Sequence, residues 1–252
     1  MAGDAEAADG KSSVEEIRAR FDADVDRFSN LETGQQATVD AAATMDLGAR
    51  AAVAVTPAAR HLIDLGCGAG NYTLKFLQRQ PAGSSPVDIT LVDLSRPMLD
   101  RAVERVSAVS RGVVTAVQAD VREFKQTVDS ADVILAAAVL HHLRTDAEWD
   151  AVFAKMAAWL RPGGSAWIFD LVQSSIPAVE ALQRSRWGEY LVALKGGGEP
   201  GEAYRDAVFD YVAREDSPRP LVEQLDRLRA AGFTAVDVLQ ANQNFAAYGG
   251  VV

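Results

Sequence analysis

The feature that most constrains the fold is a regular alternation, from His61 onward, of short apolar runs with helix-length segments. The runs are HLIDL, DITLVDL, VVTAVQA, DVILAAAV and SAWIFDL. This alternation predicts a parallel sheet with helices on both faces, and the near-continuous apolarity of each run agrees with that burial. Two further runs, FTAVDVLQ and NFAAYGGVV, are joined by a turn too short for a parallel crossover. We therefore expect an α/β fold with a seven-stranded, mostly parallel sheet that ends in an antiparallel C-terminal hairpin.

The N-terminal part of the chain is expected to form a helical cap on this sheet. Apolar side chains three and four residues apart in residues 14–28 predict an amphipathic helix. The alanine-rich residues 36–55 predict a second helix. The acidic, Ala/Gly-rich start of the chain is typical of a disordered tail. The expected organisation is a tail over residues 1–13, a cap over 14–58 and a core over 59–252.

A largely helical segment interrupts the core after the fifth strand. LRPGGS is expected to stop the helix before that strand, because Pro162 and two glycines cannot continue it. From Ile176 to Asp216 the sequence again favours helix, with a break at GGGEPG. We expect residues 173–217 to be a helical insertion that acts as a lid.

Composition restricts the classes of function. The chain has 252 residues, a net charge of −10 and one cysteine, Cys67, which excludes an internal disulfide and suits a reducing compartment. The start lacks the basic and apolar regions of a signal peptide, and no apolar run approaches the roughly 20 residues of a membrane span. Acidic chains do not gain from counterion release on DNA. We expect a cytoplasmic protein that binds neither DNA nor membranes, and the sequence leaves a homodimer open.

A glycine-rich turn follows the first predicted strand. Gly66, Gly68 and Gly70 form G-x-G-x-G. Such a turn lets the backbone approach a ligand closely and directs helix N-terminal amides at negative charge. The dinucleotide fingerprint G-x-G-x-x-G has its third glycine one position later. The turn alone therefore leaves a NAD-dependent oxidoreductase as an alternative.

Acidic residues near the ends of neighbouring strands favour a different ligand. Asp64 precedes the glycine turn, and Asp93 and Asp120 close the second and third predicted strands. Open α/β sheets place ligands at these carboxyl ends. A carboxylate at Asp93 can accept hydrogen bonds from both ribose hydroxyls, and Asp120 can meet an exocyclic amine. Acids repel a pyrophosphate but attract a nucleoside with a cationic tail, so we expect the latter.

The order and spacing of these motifs resemble a known family. LIDLGCGAGNYT, LVDLSRPMLDRA, VQADV, VILAAAVLHHL and LRPGGS are similar to the motifs of class I S-adenosylmethionine-dependent methyltransferases, over roughly Arg60 to Phe169. The resemblance implies a Rossmann-like fold and S-adenosylmethionine as cofactor, with S-adenosylhomocysteine as product. It also implies in-line transfer of a methyl group to a small-molecule or nucleoside acceptor.

The same resemblance implies a set of cofactor-binding residues. The glycines would lie beside the methionine part, Asp93 at the ribose, Asp120 at the adenine amine and Met98 against the adenine ring. The alternatives are a tight turn for the glycines, helix caps for the acids and core packing for Met98. The full implied set is Asp64, Gly66, Cys67, Gly68, Gly70, Asp93, Leu94, Met98, Asp120, Val121 and Ala137.

A looser resemblance concerns the termini. RFSNLETGQ, LRAAGF and NQNFAAYGGVV are similar to segments of carboxy-S-adenosylmethionine synthase, a transfer-RNA modification enzyme. In that family an arginine of the insertion holds the added carboxylate, and Arg205 is the nearest counterpart. The glycine motif and the histidine pair depart from that family. A synthase-like enzyme and a cofactor-binding pseudoenzyme therefore remain as alternative functions.

Candidates for chemistry on the acceptor lie after the fourth strand and in the insertion. His141 or His142 is a candidate general base, and we expect one of the two rings to face the pocket, because adjacent residues of a helical turn diverge by about 100°. The alternative is a packing role. No metal is expected, since no further His or Cys ligand set is evident.

Side chains of the insertion and the cap are expected near the acceptor. Trp187, Tyr190 and Tyr204 can close over it, with helix-to-helix packing as the alternative. Arg27 or Thr33 of the N-terminal segment can reach the cofactor.

Overall fold

The computed structural model describes residues 11–30 and 35–252. Its strands are β1 (His61–Leu65), β2 (Asp88–Asp93), β3 (Val114–Gln118), β4 (Ala131–Ala137), β5 (Leu160–Leu171), β6 (Ala235–Asn242) and β7 (Phe245–Val251). Its helices are α1 (Val14–Ala23), α2 (Val25–Phe28), α3 (Ala41–Val55), α4 (Asn71–Arg79), α5 (Arg96–Ser107), α6 (Asp146–Trp159), α7 (Pro177–Leu194), α8 (Gly198–Glu215) and α9 (Leu221–Ala231). A short 3-10 turn spans Leu140–His142.

The strands form one seven-stranded sheet in the order β3-β2-β1-β4-β5-β7-β6. Strands β1 to β5 pair in parallel, whereas β7 is antiparallel to both β5 and β6. Leu62 lies opposite Ile89 on one side and Val133 on the other, so β1 is an interior strand of the sheet. The strand order reverses between β1 and β4, and such a switch point opens a crevice at the carboxyl ends of the strands. The predicted fold class is confirmed.

Helices cover both faces of the sheet, as the apolarity of its strands predicts. On one face, side chains such as Ala49 of α3 and Phe76 of α4 pack in a core with Leu62. On the other face, Trp149 of α6 and Leu228 of α9 pack in a second core. The residues Leu62 to Leu65 of β1 are all buried, because each face of this strand is covered.

Several predicted boundaries differ from the structure. The helix predicted over residues 14–28 is two helices, broken at Asp24, and the break lets the rings of Phe21 and Phe28 meet at 5.6 Å between centroids. The helix predicted over 36–55 begins only at Ala41, after Asp40 takes a left-handed φ of 56°. The helix before β5 does end at Trp159, but pairing with β4 begins at once, with Leu160 opposite Ala131.

The expected tail is ordered at its end. Lys11 Nζ donates a hydrogen bond to the carbonyl of Ala213 at 2.8 Å, and Ser12 Oγ donates one to Glu215 at 2.6 Å. Ser13 caps α1 together with Glu16. Residues 11–13 therefore contact α8 and α1, while residues 1–10 of the predicted tail lie outside the described residues.

The helical insertion is a pair of packed helices, α7 and α8. Gly196 and Gly197 join them with φ values of 84° and 83°, a conformation that favours glycine. Helix α8 then begins at Gly198, inside the predicted break. Over the described ranges, no helix is long and apolar enough to span a bilayer.

Candidate functional site

A cavity of about 650 Å³ lies at the carboxyl ends of the central strands, below the N-terminal helices and the insertion. Most of the residues that sequence predicts for the cofactor line it: Gly66, Gly68, Asp93, Leu94, Met98, Asp120, Val121 and Ala137. The volume falls within the roughly 300–1,000 Å³ of small-molecule sites. The switch point of the sheet therefore carries a pocket where the motifs predicted one.

The glycine turn is shaped by two different requirements. Gly66 and Gly68 have left-handed φ values of 63° and 50°. A Cβ on Gly66 would come within 2.4 Å of Val139 Cγ2, so the neighbouring turn excludes any side chain there. A Cβ on Gly68 would have nothing within 4 Å. The backbone at Gly68 thus faces open space that a ligand can occupy.

The carboxylate of Asp93 joins the end of β2 to this turn. One of its oxygens accepts a hydrogen bond from the Gly68 amide at 2.8 Å, and the other accepts one from the Ser95 amide at 2.9 Å. Surrounding protein atoms exclude water and raise the pKa of Asp93, although these hydrogen bonds oppose the shift. Each oxygen retains a lone pair for a further donor.

Asp120 lines the cavity in a different state from the one expected. Arg122 binds it in a fork, with Nη2 at 2.7 Å from Oδ2 and Nε at 3.0 Å from Oδ1, and also pairs with Glu148 at 2.8 Å. Burial would raise the pKa of Asp120, but the Arg122 guanidinium outweighs it and the pKa is lowered. The Asp120 carboxylate is therefore ionised, and the positive charge of Arg122 compensates its negative charge.

Asp64, Cys67 and Gly70 are absent from the cavity lining. Burial raises the pKa of Asp64 to about 7, and its carboxyl accepts a hydrogen bond from Thr73 Oγ1 at 2.6 Å. The Cys67 amide donates to the carbonyl of Val92 at 2.9 Å, and Gly70 is the N-cap residue of α4. These residues hold the turn in place. Three acids were expected to present negative charge to the ligand. Asp64 lies outside the lining and Asp120 is paired with Arg122, so among the described residues only Asp93 of the three lines the cavity without an ion pair to Lys or Arg.

Met98 is buried in the protein interior and also lines the cavity. Its side chain is 1 % exposed and borders the cavity near the start of α5. The two interpretations of Met98 in the sequence, core packing and ligand contact, are thus compatible.

Both histidine rings line the cavity, whereas one was expected. Their centroids are 4.4 Å apart. His141 Nδ1 binds the Asp170 carboxylate, and His141 Nε2 lies 3.6 Å from Asp216 Oδ1. His142 Nδ1 lies 3.3 Å from the same Asp216 oxygen.

The acids around His141 determine its protonation. Burial lowers the pKa of His141, but the charges of Asp170 and Asp216 outweigh that effect and raise the pKa to about 9. His141 is therefore protonated on both ring nitrogens at neutral pH and does not suit the role of general base. His142 is the remaining candidate.

Asp170 and Asp216 are site residues that the sequence interpretation missed. Asp170 is the penultimate residue of β5, so the reasoning applied to Asp93 would have found it. Asp216 follows α8 and reaches the pair because the Ser217 amide donates to the His141 carbonyl at 2.6 Å. No local sequence signal marks that approach.

The roof of the cavity comes from the predicted lid and cap. Trp187 Nε1 donates to the Ala37 carbonyl and Tyr190 Oη to the Gln36 carbonyl, each at 2.8 Å. Trp187 lines the cavity but is 3 % exposed and packs against the rings of Phe209 and Phe245. Tyr190 is not among the lining residues. Packing is therefore the main role of these two aromatic residues.

Of the other predicted roof residues, some line the cavity and some do not. Tyr204 lines it, with Lys195 Nζ 4.5 Å from its ring centroid. Arg27 also lines it and pairs with Asp24 at 2.7 Å. Arg205 pairs with Asp206 at 2.8 Å and is not a lining residue. Thr33 lies outside the described residues.

Arg20 of α1 ties the roof together. It lines the cavity, pairs with the buried Glu215 at 2.8 Å and lies 5.1 Å from the ring centroid of Tyr211. The N-terminal helix and the end of α8 are thus joined across the pocket.

Comparison with known proteins identifies the core. Residues 63–166 match the family model described as a methyltransferase domain. This part of the chain is a class I methyltransferase domain. The chain is 37 % identical over 108 residues to trans-aconitate 2-methyltransferase of Acidovorax sp. (strain JS42), and the match covers 43 % of this chain. The chain spans 37 % of the length of that relative.

Solved structures share the fold of the methyltransferase domain and of the chain on either side of it. An O-methyltransferase family protein from Burkholderia thailandensis has a TM-score of 0.62 at 20 % identity, over 94 % of this chain and 61 % of that chain. Human N-acetylserotonin methyltransferase in complex with SAM has a TM-score of 0.60 at 16 % identity, over 96 % of this chain and 63 % of that chain. At these identities the similarity demonstrates the fold.

Proposed function

We propose that the protein is an S-adenosylmethionine-dependent methyltransferase that acts on a small-molecule or nucleoside acceptor bound in the roofed cavity. The observation that carries this proposal is the convergence of the Gly68 backbone and the Asp93 carboxylate on the cavity of a methyltransferase domain. The relative from Acidovorax and the human enzyme, by their names, also transfer methyl groups.

The residues of the chain fit the proposed cofactor. Gly68 leaves room at the position that a side chain would fill, and Asp93 offers a free lone pair on each oxygen for a ribose diol. Leu94, Met98 and Val121 supply apolar walls for a purine ring. Asp120 can still accept one hydrogen bond from an exocyclic amine, although Arg122 holds both of its oxygens.

The chain itself has a limited role in the chemistry. When bound, the cofactor would supply an activated methyl group on a sulfonium for in-line displacement. The strand ends would fix the donor, and the roof of α1, α7 and α8 would hold the acceptor in line and exclude water. If the acceptor must lose a proton, His142 is positioned on the cavity wall to receive it, while His141 is already protonated.

The alternatives receive less support. The synthase-like function depends on Arg205, which pairs with Asp206 instead of lining the cavity. A NAD-dependent oxidoreductase is less well supported because the third glycine of the turn, Gly70, comes one position before its place in the dinucleotide fingerprint. A pseudoenzyme would bind the cofactor without transferring its methyl group, so only a measurement of methyl transfer distinguishes that alternative from the proposal.

Calorimetry on the full chain tests the donor site. We expect S-adenosylmethionine and S-adenosylhomocysteine to bind and NAD not to bind. Asp93→Ala should weaken binding of both by at least about 1.5 kcal/mol, roughly tenfold, because a charged hydrogen-bond acceptor is lost. Asp100→Ala is the matched control, since Asp100 is an exposed acid of α5 that pairs with Arg96. Unchanged affinity in Asp93→Ala, or a preference for NAD, would contradict the proposed function.

A further inference from the structure

We propose that His141, His142 and Asp216 form a site for a divalent transition-metal ion of the zinc type in the wall of the cavity. The three side chains are contributed by the 3-10 turn after β4 and by the residue that follows α8. The metal site goes beyond the proposed function, which needs no metal.

The spacing of the ligand atoms suits such an ion. Asp216 Oδ1 lies 3.6 Å from His141 Nε2 and 3.3 Å from His142 Nδ1, and the three ligand atoms all lie within 4.8 Å of one another. A tetrahedral zinc ion with bonds of roughly 2.0–2.1 Å separates its ligands by about 3.3–3.4 Å. Small side-chain movements therefore suffice to place all three atoms on one ion.

The hydrogen bonding of these atoms leaves them available. Among the described residues, His142 Nδ1 and Asp216 Oδ1 are both buried side-chain atoms without a hydrogen-bond partner. They are 3.3 Å apart, so their mutual orientation, not their separation, prevents a hydrogen bond. Unpartnered buried polar atoms are costly. A cation placed off the line between them would satisfy both.

The surroundings hold the ligands in a metal-binding orientation. Asp170 binds His141 Nδ1, which leaves Nε2 directed at Asp216, and a bound ion would take the place of the proton that Nε2 carries at neutral pH, which is released to solvent. Metal-binding histidines commonly have such a carboxylate behind them, because it fixes the ring and its tautomer. Asp170 is itself held by the amide of Leu140 at 2.7 Å. Asp216 is 5 % exposed, so its carboxylate is also confined.

The site would retain an exchangeable position. All three ligands line the cavity, so the fourth position of a tetrahedral ion faces its interior. Three protein ligands with one open position are typical of zinc sites that take part in catalysis. If the proposed function holds, an acceptor oxygen or nitrogen can bind there and be polarised by the ion.

Titration of the chelator-treated full-length chain with zinc chloride tests the site in the absence of any methyl donor. We expect one ion per chain by calorimetry, and for Co²⁺ the visible absorption of a tetrahedral site. His142→Ala and Asp216→Asn should each weaken Zn²⁺ binding by more than about 100-fold, since loss of a ligand exceeds the effect of losing an outer-shell partner. His61→Gln is the control, because His61 is the remaining histidine of the chain and binds Ser130 and Thr90 instead.

The outcomes separate this proposal from the proposed function. No zinc binding, or equal affinity in Asp216→Asn and the unaltered chain, overturns the site whatever the methyl donor does. Thermal unfolding in chelator establishes whether the variants fold. If both unfold, the Co²⁺ spectrum of the unaltered chain decides: an octahedral spectrum overturns the site and a tetrahedral one supports it.

Discussion

At the scale of single residues, the polar groups beneath the cavity hold the glycine turn. The carboxyl of Asp64 binds Thr73 in the first turn of α4, and Asp93 binds the amide of Gly68. The turn is thereby fixed from both sides before any ligand arrives. Asp64, Gly68 and Asp93 were all predicted to bind the cofactor. In the structure Gly68 and Asp93 line the cavity, whereas Asp64 supports the turn from outside it.

The pKa of Asp64 leads to a prediction about pH. Its pKa rises from an ordinary 3.8 to about 7 on folding because of burial. The stability that a raised pKa contributes is complete below the unfolded value and declines as the pH rises to about 7, because the unfolded chain ionises first. Asp64→Asn keeps an acceptor for Thr73 but cannot ionise. We expect its free energy of unfolding, relative to the unaltered chain, to increase between pH 4 and 7.

Chemical denaturation across this pH range measures the effect. Asp100→Asn, which removes an exposed carboxylate, should give a curve nearly parallel to that of the unaltered chain. A parallel curve for Asp64→Asn as well would mean that Asp64 is ionised in the folded protein.

The sequence could predict residues whose position follows from a strand end and could not predict those brought in by packing. Gly66, Gly68 and Asp93 lie where their motifs predict, because the turn and the end of β2 are local features. The pairing of Asp120 with Arg122 depends on a side-chain rotamer, which spacing does not determine. Asp216 meets the histidines only because α8 ends beside the 3-10 turn.

At the scale of elements, α7 connects the insertion to the N-terminal cap. Trp187 and Tyr190 lie one helical turn apart and bind the carbonyls of adjacent residues, Ala37 and Gln36. Residues 35–40 form turns instead of helix where these bonds form, and the helix predicted from residue 36 therefore begins at residue 41. Alanine-rich composition predicts the helix but not the tertiary contacts that shorten it.

These two hydrogen bonds are expected to stabilise the roof measurably. Tyr190→Phe should lower the free energy of unfolding by about 0.5–1.5 kcal/mol, because it removes one hydrogen bond and retains the ring. Trp187→Phe should lower it further, because it also removes buried ring atoms and leaves a cavity. Urea denaturation measures the loss, and hydrogen exchange should show faster opening near Ala37. Leu182→Ala, at an exposed position of the same helix, should have little effect. Equal stability of all three variants would argue against a role for the bonds.

At the scale of the whole molecule, the N-terminal helix is held over the cavity by a partly buried ion pair. Glu215 is 0 % exposed and binds both Arg20 and Ser12. These residues are distant in sequence, so the pair joins the first and the inserted helical segments. The buried charge of Glu215 is paired only when α1 and the end of α8 are packed together.

A double-mutant cycle tests this connection. Arg20→Ala should destabilise the protein by about 2 kcal/mol, less than the roughly 3–5 kcal/mol of a fully buried pair because the Arg20 side chain is 34 % exposed. Glu215→Gln in the Arg20→Ala background should recover part of that loss, since no unpaired charge then remains buried. Additive effects in urea denaturation would show that the two residues do not interact.

The reversal of strand order between β1 and β4 divides the pocket between two stretches of chain. Groups proposed to hold the methyl donor come largely from the stretch up to Val121, while the histidine pair, Asp216 and the inserted helices come after it. Variation in the later stretch and in α1 can therefore change the acceptor site of the proposed methyltransferase while the strand ends proposed to hold the donor stay the same. Proteins that diverge in this way would share the methyl donor and differ in the acceptor.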